Sequence, residues 1–258
     1  MKLLFQSDDY GMTRGVAQGI LHGIRSGVVR NTGLFSNMPW AEECVEWIRP
    51  YLDDIAFGID LNASTGPSLL GYDKVPALCH EDGMFFTSRE NRALDTEEND
   101  FDHVDYDQVF AEFDEQVQQF IRLTGKAPDY IHGHAYGTKT TARARRAIAE
   151  KYGKPLTADF PEGYMPMEKN SWYKGKTPEE QLCNDPLGVI TRDEAGLLRK
   201  ELGYIVMHCG YCDRELFELS SFNTCRVVDL AAATSPLMKK WIKDNGIELI
   251  DFREFASR

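Results

Sequence analysis

Short apolar runs alternate along the chain with segments whose apolar residues recur every three or four positions. That is the pattern of strands alternating with amphipathic helices in a parallel α/β sheet or barrel. The run KLLFQS at residues 2–7 predicts a first strand. Thr13 stands as the N-cap of a helix in which Val16, Ile20 and Ile24 recur every four positions, with Ala17 and Leu21 beside them and Gly27 at the end. Residues 28–35 predict a second strand, 40–52 a helix that turns Val45 and Ile48 inward, and 55–61 a third strand. A long helix over 106–124 carries Val109, Phe110, Phe113, Val117 and Phe120 on one face and ends at Gly125. YIHGH (130–134) predicts a strand, 138–152 a basic helix and LTADF (156–160) another strand. Thr191 with Glu194 has the spacing of a capping box for a helix closed by Gly203. YIVMHCG (204–210) and RVVDL (226–230) predict strands, Ser235-Pro236 opens a helix, and IELIDF (247–252) closes the chain.

Two stretches break the rhythm, 63–105 and 161–190, and both read as irregular insertions on the functional rim. About seven strands, no linker and no internal repeat predict one domain over residues 1–258, a TIM-like (β/α) barrel, complete or incomplete. Composition sharpens this in two ways. A hydrophobic content of 42% is ample for a buried core, and a net charge of −12 argues against nucleic acid and anionic membrane as partners. No apolar run is long enough to span a bilayer or serve as a leader, so a cytoplasmic location is expected. Six scattered cysteines read as reduced thiols, and the C-x₂-C spacing of Cys209 and Cys212, lacking a second pair, reads as packing.

In a barrel the C-terminal strand ends converge on one face, where active sites are built. There the sequence puts Asp8 and Asp9 on the first strand, Asp60 on the third, His132 and His134 on the fourth, and His208 on a later one. Singly, each has a bland alternative, an aspartate as a cap and a histidine as a hydrogen-bonded core residue. Together they form a mixed nitrogen and oxygen set suited to one divalent cation with an acid and a base. A cation would also explain why two adjacent carboxylates are tolerated at the end of a core strand, where desolvation and repulsion both oppose them.

The segment SDDYGMTRGVAQGI resembles the "ADDFG" segment of the YdjC-type carbohydrate deacetylases, and the likeness continues through RNTGLFSNMP at 30–39. FGIDLNAS resembles that family's "GIHLNLT", PDYIHGH its "PTHIDSHxH", MHCGY its "CHPG", and GIELIDFREF its closing strand. The resemblance implies a TIM-like barrel, a divalent metal and removal of an N-acetyl group from an amino sugar in a small carbohydrate. By position it makes Asp8 the general base, Asp9 and His134 metal ligands, and His208 the general acid or oxyanion-side partner. Two positions depart from the family: Asp60 stands where it has histidine, and His132 where it has aspartate. A ligand set of Asp9, Asp60 and His134 favours Mg²⁺, with Zn²⁺, Mn²⁺ and Fe²⁺ as the other ions, and His132 is a further ligand or a neighbour of the ligands. Asn37, Tyr136 and Tyr211 are the expected substrate contacts, with Trp40, Phe85, Phe86, Tyr164 and Trp172 as further sugar-stacking faces or ordinary packing. Two rival readings stay open: a metal-dependent hydrolase of another amide or a phosphoester, and a non-catalytic sugar-binding relative. A homodimer is the default assembly.

Overall fold

The computed structural model describes residues 1–159 and 172–256, so Tyr164 and the end of LTADF lie outside the described residues. Its frame is an all-parallel sheet of β1 (Lys2–Tyr10), β2 (Asn31–Leu34), β3 (Ala56–Leu61), β4 (Ile131–Gly133), β5 (Leu202–Met207) and β6 (Glu248–Ile250). The strand order is β4-β3-β2-β1-β5, with β6 paired to β1. β6 takes Lys2–Leu4 and β2 takes Gln6, Ser7 and Tyr10, while β5 lies along Lys2–Ser7. The parallel α/β reading therefore holds. Among the described residues no ladder joins β4 to β5 to complete a barrel; beyond β4 there is one bridge, Ile131 to Leu156.

The helices are α1 (Arg14–Ser26), α2 (Ala41–Ile48), α3 (Ser88–Leu94), α4 (Tyr106–Thr124), α5 (Lys139–Tyr152), α6 (Pro178–Gln181), α7 (Pro186–Thr191), α8 (Arg214–Leu219), α9 (Cys225–Thr234), α10 (Pro236–Asp244) and α11 (Phe252–Ala256), with α1 packed on β1, α4 on β3 and α5 on β4. α1 starts where its cap demands, Thr13 accepting a hydrogen bond from the Val16 amide. α4 matches its predicted bounds and ends at Gly125, whose φ of 80° only glycine adopts without strain. Three expectations are corrected. Thr191 ends α7 instead of capping a helix, and Gly203 lies in β5. RVVDL is helix α9, because Arg226, Asp229 and Leu230 are buried at helical spacing. LTADF is a short 3₁₀ turn, Thr157–Asp159, after the Leu156 bridge.

Strand parity divides the sheet into two faces. Leu3, Phe5 and Met207 pack outward in the large core under the helices, with Val16, Ile20 and Phe120. Leu4, Ala56, Tyr130, Tyr204, Val206, Ile250 and Phe252 form a second, separate apolar cluster on the inner face. The residues two steps further along the same strands are polar: Gln6 then Asp8 on β1, Asp60 beyond Ala56 and Gly58 on β3, and His132 after Tyr130 on β4. The inner face is thus apolar at one end and ionisable at the end where the strands finish.

Room for the ionisable layer depends on Gly33 of β2. A Cβ there would lie 1.9 Å from Asp60 Oδ1. Gly33→Ala is therefore expected to displace Asp60 and to cost about 1–3 kcal/mol of stability in urea unfolding; an unchanged midpoint would contradict this packing.

Candidate active site

Asp8 and Asp9 would point to opposite faces of a regular strand. They do not, because β1 is bulged against β2: Ser7 pairs with Thr32 and Tyr10 with Leu34, so β1 carries one more residue than its partner over that step. The extra residue is accommodated at Asp9, whose φ is 71°, a left-handed conformation that costs a non-glycine residue about 1 kcal/mol or more. The Asp9 amide donates to Asp60 Oδ2 at 2.7 Å, which fixes the bulge from across the sheet.

Each aspartate then has its own partners. Tyr204 donates to Gln6 Oε1 at 2.7 Å, and Gln6 Nε2 donates to Asp8 Oδ1, which leaves Asp8 Oδ2 facing His132 Nε2 at 3.2 Å and His208 Nε2 at 4.0 Å. Burial would raise Asp8, but the adjacent His132 and His208 hold it below the ordinary carboxylate range. His132 responds in the opposite sense: burial alone would lower it, and Asp8 drives it up to about 9. Its Nδ1 is hydrogen-bonded to the Thr157 hydroxyl.

Asp9 Oδ1 lies 2.8 Å from His134 Nδ1, and Arg226 Nη2 donates to Asp9 Oδ2 at 2.7 Å. Against burial, His134 and Arg226 keep Asp9 well below the ordinary range. Arg226 and Asp9 side chains are 1% and 2% exposed, so the Arg226 charge is offset by Asp9, and the Asp9 charge by Arg226 together with His134. Arg226 Nη1 is buried with no acceptor among the described residues. Asp60 is pushed well above the ordinary range, first by burial and then by Asp8.

His208 follows β5. Its amide donates to Asp229 Oδ2 at 2.8 Å, and its Nδ1 lies 2.9 Å from the Tyr173 hydroxyl, which itself donates to Asp229 Oδ2. Trp172 Nε1 donates to Asp229 Oδ1 at 2.9 Å. Burial lowers His208, offset in part by Asp9 and Asp8. Burial raises Asp229 to about 6 even though Tyr173, the His208 amide and Trp172 all donate to it.

Asp9, His134, His208 and Arg226 open onto a chamber of about 780 Å³, whose wall includes Tyr173, Phe217, Phe222, Ser64 and Thr65, with Arg89 and Arg92 of α3 at its edge. The sequence-predicted set Asp8, Asp9, Asp60, His132, His134 and His208 is therefore gathered at one end of the sheet. The expected substrate contacts are placed elsewhere. Asn37 is 4% exposed and donates to the carbonyls of Thr65 and Pro67, bracing the loop beside the chamber. Tyr136 is buried with its hydroxyl on Asp95. Tyr211 lies outside α1, hydrogen-bonded to His22. Trp40 donates to the Gly11 carbonyl, Phe85 is buried, Phe86 packs on His80, and Trp172 is buried against Asp229. Cys209 is buried with its amide on Ser7 Oγ, which agrees with a packing role. The polar residues that sequence reading missed are Arg226, Asp229 and Tyr173. The first two were hidden by taking 226–230 as a strand, although their three-residue spacing puts both on one face of a helix.

Residues 2–244 match the YdjC-like protein family. The chain belongs to that family. Family relatives include Carbohydrate deacetylase 2 of Listeria innocua, 28% identical over 263 residues and covering all of both chains, and the carbohydrate deacetylase of Thermoanaerobacter pseudethanolicus, 27% identical over 97% of each. Among solved structures, a candidate cellobiose-phosphate cleavage protein from Enterococcus faecalis superposes with a TM-score of 0.78 at 24% identity, over 99% of this chain and 98% of that one. A family 4 carbohydrate esterase from Streptomyces lividans shares the fold more distantly, with a TM-score of 0.51 at 13% identity over 96% and 91% of the two chains.

The resemblance read from the sequence implies a divalent metal, and two features of the donor set fit one. Asp9 Oδ1 and His134 Nδ1 are already neighbours, and Asp60 Oδ1 is a buried carboxylate oxygen with no hydrogen-bond partner among the described residues. Carboxylate, imidazole and carboxylate are ligands for a hard or borderline cation. Among the described residues no three His, Cys, Asp or Glu side chains are drawn together as a ready-made cage, so the fit rests on donor chemistry.

The Asp229 shift carries a pH dependence. Its folded pKa of about 6 exceeds the ordinary 3.8, so its contribution to stability is complete below about pH 4 and is lost as pH rises through 6. Relative to Asp229→Asn, the wild-type protein is expected to lose about 2–3 kcal/mol between pH 4 and 7.5. Urea midpoints measured across that range check this, and a constant difference between the two proteins would refute it.

Proposed function

We propose that the chain is a carbohydrate deacetylase that hydrolyses the N-acetyl group of an amino sugar. The reading is supported by the carbohydrate deacetylase names of relatives aligned over 97% or more of their length. The observation that carries it is the disposition of Asp8, an ionised carboxylate aimed by Gln6 and placed between two imidazoles at the chamber's end of the sheet.

Water attacks the acetyl carbonyl carbon as Asp8 takes one of its protons. The proton taken by Asp8 passes to His208 Nε2, 4.0 Å away, and from there to the departing amine nitrogen as the tetrahedral species collapses with cleavage of the C–N bond, so acetate and a free amino sugar are formed. His208 is suited to this because burial makes its conjugate acid a stronger proton donor than an ordinary imidazolium. Arg226 holds Asp9 in its buried ionised form, and His132 holds Asp8 in its own. A divalent cation, Mg²⁺ in the first instance, would be held by Asp9, Asp60 and His134 and would supply Lewis acidity while offsetting three buried carboxylates. Phe222, Phe217 and the Tyr173 ring offer apolar faces to a sugar. A small carbohydrate is thus the partner, and a cytoplasmic location and a homodimer belong to the same reading.

Asp8→Asn is expected to lower acetate release from N-acetylated chitobiose by about 10²–10⁴-fold without unfolding the protein. Full turnover by that variant would remove Asp8 from the mechanism, and release of phosphate from a phosphoester with no acetate release would favour the rival hydrolase. Cation binding is read separately. Saturating Mg²⁺ or Mn²⁺ should raise the melting temperature of the wild type, corresponding to about 2–3 kcal/mol at a hundredfold excess over Kd, and Asp60→Asn should reduce that rise. No rise with any divalent ion would remove the cation.

A further inference from the structure

Tyr173 sits between Asp229 and His208, and one hydroxyl hydrogen cannot serve both. Asp229 Oδ2 already accepts from the His208 amide, and an ionised carboxylate has nothing to donate. The Tyr173 hydrogen therefore goes to Asp229 Oδ2, which leaves the phenolic oxygen as an acceptor toward His208 Nδ1, 2.9 Å away. His208 must then carry its hydrogen on Nδ1, with Nε2 free to exchange protons on the side of Asp8, 4.0 Å away.

We propose that Tyr173 is a positioning residue for His208, fixing through Asp229 the Nδ1–H tautomer that presents Nε2 to Asp8 and the chamber.

The surroundings are built for this. Asp229 is fully buried and held on its other oxygen by Trp172, so the carboxylate cannot swing away from Tyr173. The Tyr173 ring packs edge-on against both His208 and Phe222, with centroids 5.5 and 4.7 Å apart, and Phe222 meets His208 at 4.9 Å. The imidazole is therefore packed against two rings and oriented at Nδ1 by a hydroxyl. Burial, and then Asp229, keep the Tyr173 phenol protonated far above neutral pH, so it stays a hydrogen-bond donor to Asp229. The arrangement differs from a direct carboxylate–imidazole pair in interposing a neutral group, so His208 is oriented without a formal charge at Nδ1.

The kinetic consequence rests on the proposed hydrolysis, whereas the tautomer does not, and the two are measured separately. Long-range ¹H–¹⁵N spectra of ¹⁵N-labelled protein at pH 7.5, with His208→Gln to assign the resonance, should show His208 as the Nδ1–H tautomer. Tyr173→Phe, which keeps the ring contacts, should retain its melting temperature within a few degrees and show mixed tautomers. With N-acetylated chitobiose as the probe, the same variant should lose about 10–100-fold in kcat with KM changed less than twofold. A wild-type Nε2–H tautomer, or an unchanged tautomer in Tyr173→Phe, would overturn the proposal, as would an equal loss expressed in KM. If wild-type protein released no acetate while the tautomer responded to Tyr173→Phe as described, the proposal would stand and the hydrolytic reading would fall.

Discussion

The arrangement depends on a single local irregularity, the extra residue in β1 that turns both Asp8 and Asp9 toward the same end of the sheet. A regular strand would bury one of them among the outward-facing core residues, where nothing could compensate it. The left-handed backbone at Asp9 is the cost of avoiding this, and the Asp60 carboxylate meeting the Asp9 amide is what holds it. Gly33 is the matching concession on β2, since only a residue without a side chain leaves space for Asp60 there.

Once both carboxylates are inside, the rest of the site reads as compensation of charge. Asp8 is given His132 and, at longer range, His208; Asp9 is given His134 and Arg226. Asp60 makes no ion pair among the described residues, and burial and the neighbouring Asp8 push it well above the ordinary carboxylate range despite His132. Asp60 and His132, the two positions at which the sequence departs from the segments it resembles, stand in register on β3 and β4.

Much of this was legible in the sequence where local chemistry decides structure. The Thr13 cap, the Gly125 stop and the Val109–Phe120 stripe each specify a helix within a few residues, and the ends of four strands identified the ionisable cluster. The failures have a common cause, which is that tertiary context decides. The apolar density of RVVDL fits either a strand or a buried helix, and the partners that bury Arg226 and Asp229 are Asp9, Trp172 and Tyr173, distant in sequence. Tyr211 follows the site histidine closely, yet Gly19 of α1 packs against the Gly210 backbone, and Tyr211 is turned out toward His22. The bulge was invisible because no glycine marks it, Asp9 itself adopting the conformation that glycine usually supplies.

One bulged strand turns two adjacent carboxylates toward the same end of the sheet, Asp9 in the chamber wall and Asp8 between His132 and His208. A high-resolution crystal structure grown with a divalent cation and an N-acetylated sugar tests it most directly. The account predicts Asp9 with positive φ, its amide on Asp60 and its carboxylate on the side of His134 and Arg226, with Asp8 Oδ2 facing the acetyl group from between His132 and His208. A regular β1, with Asp8 and Asp9 on opposite faces of the sheet, would contradict it.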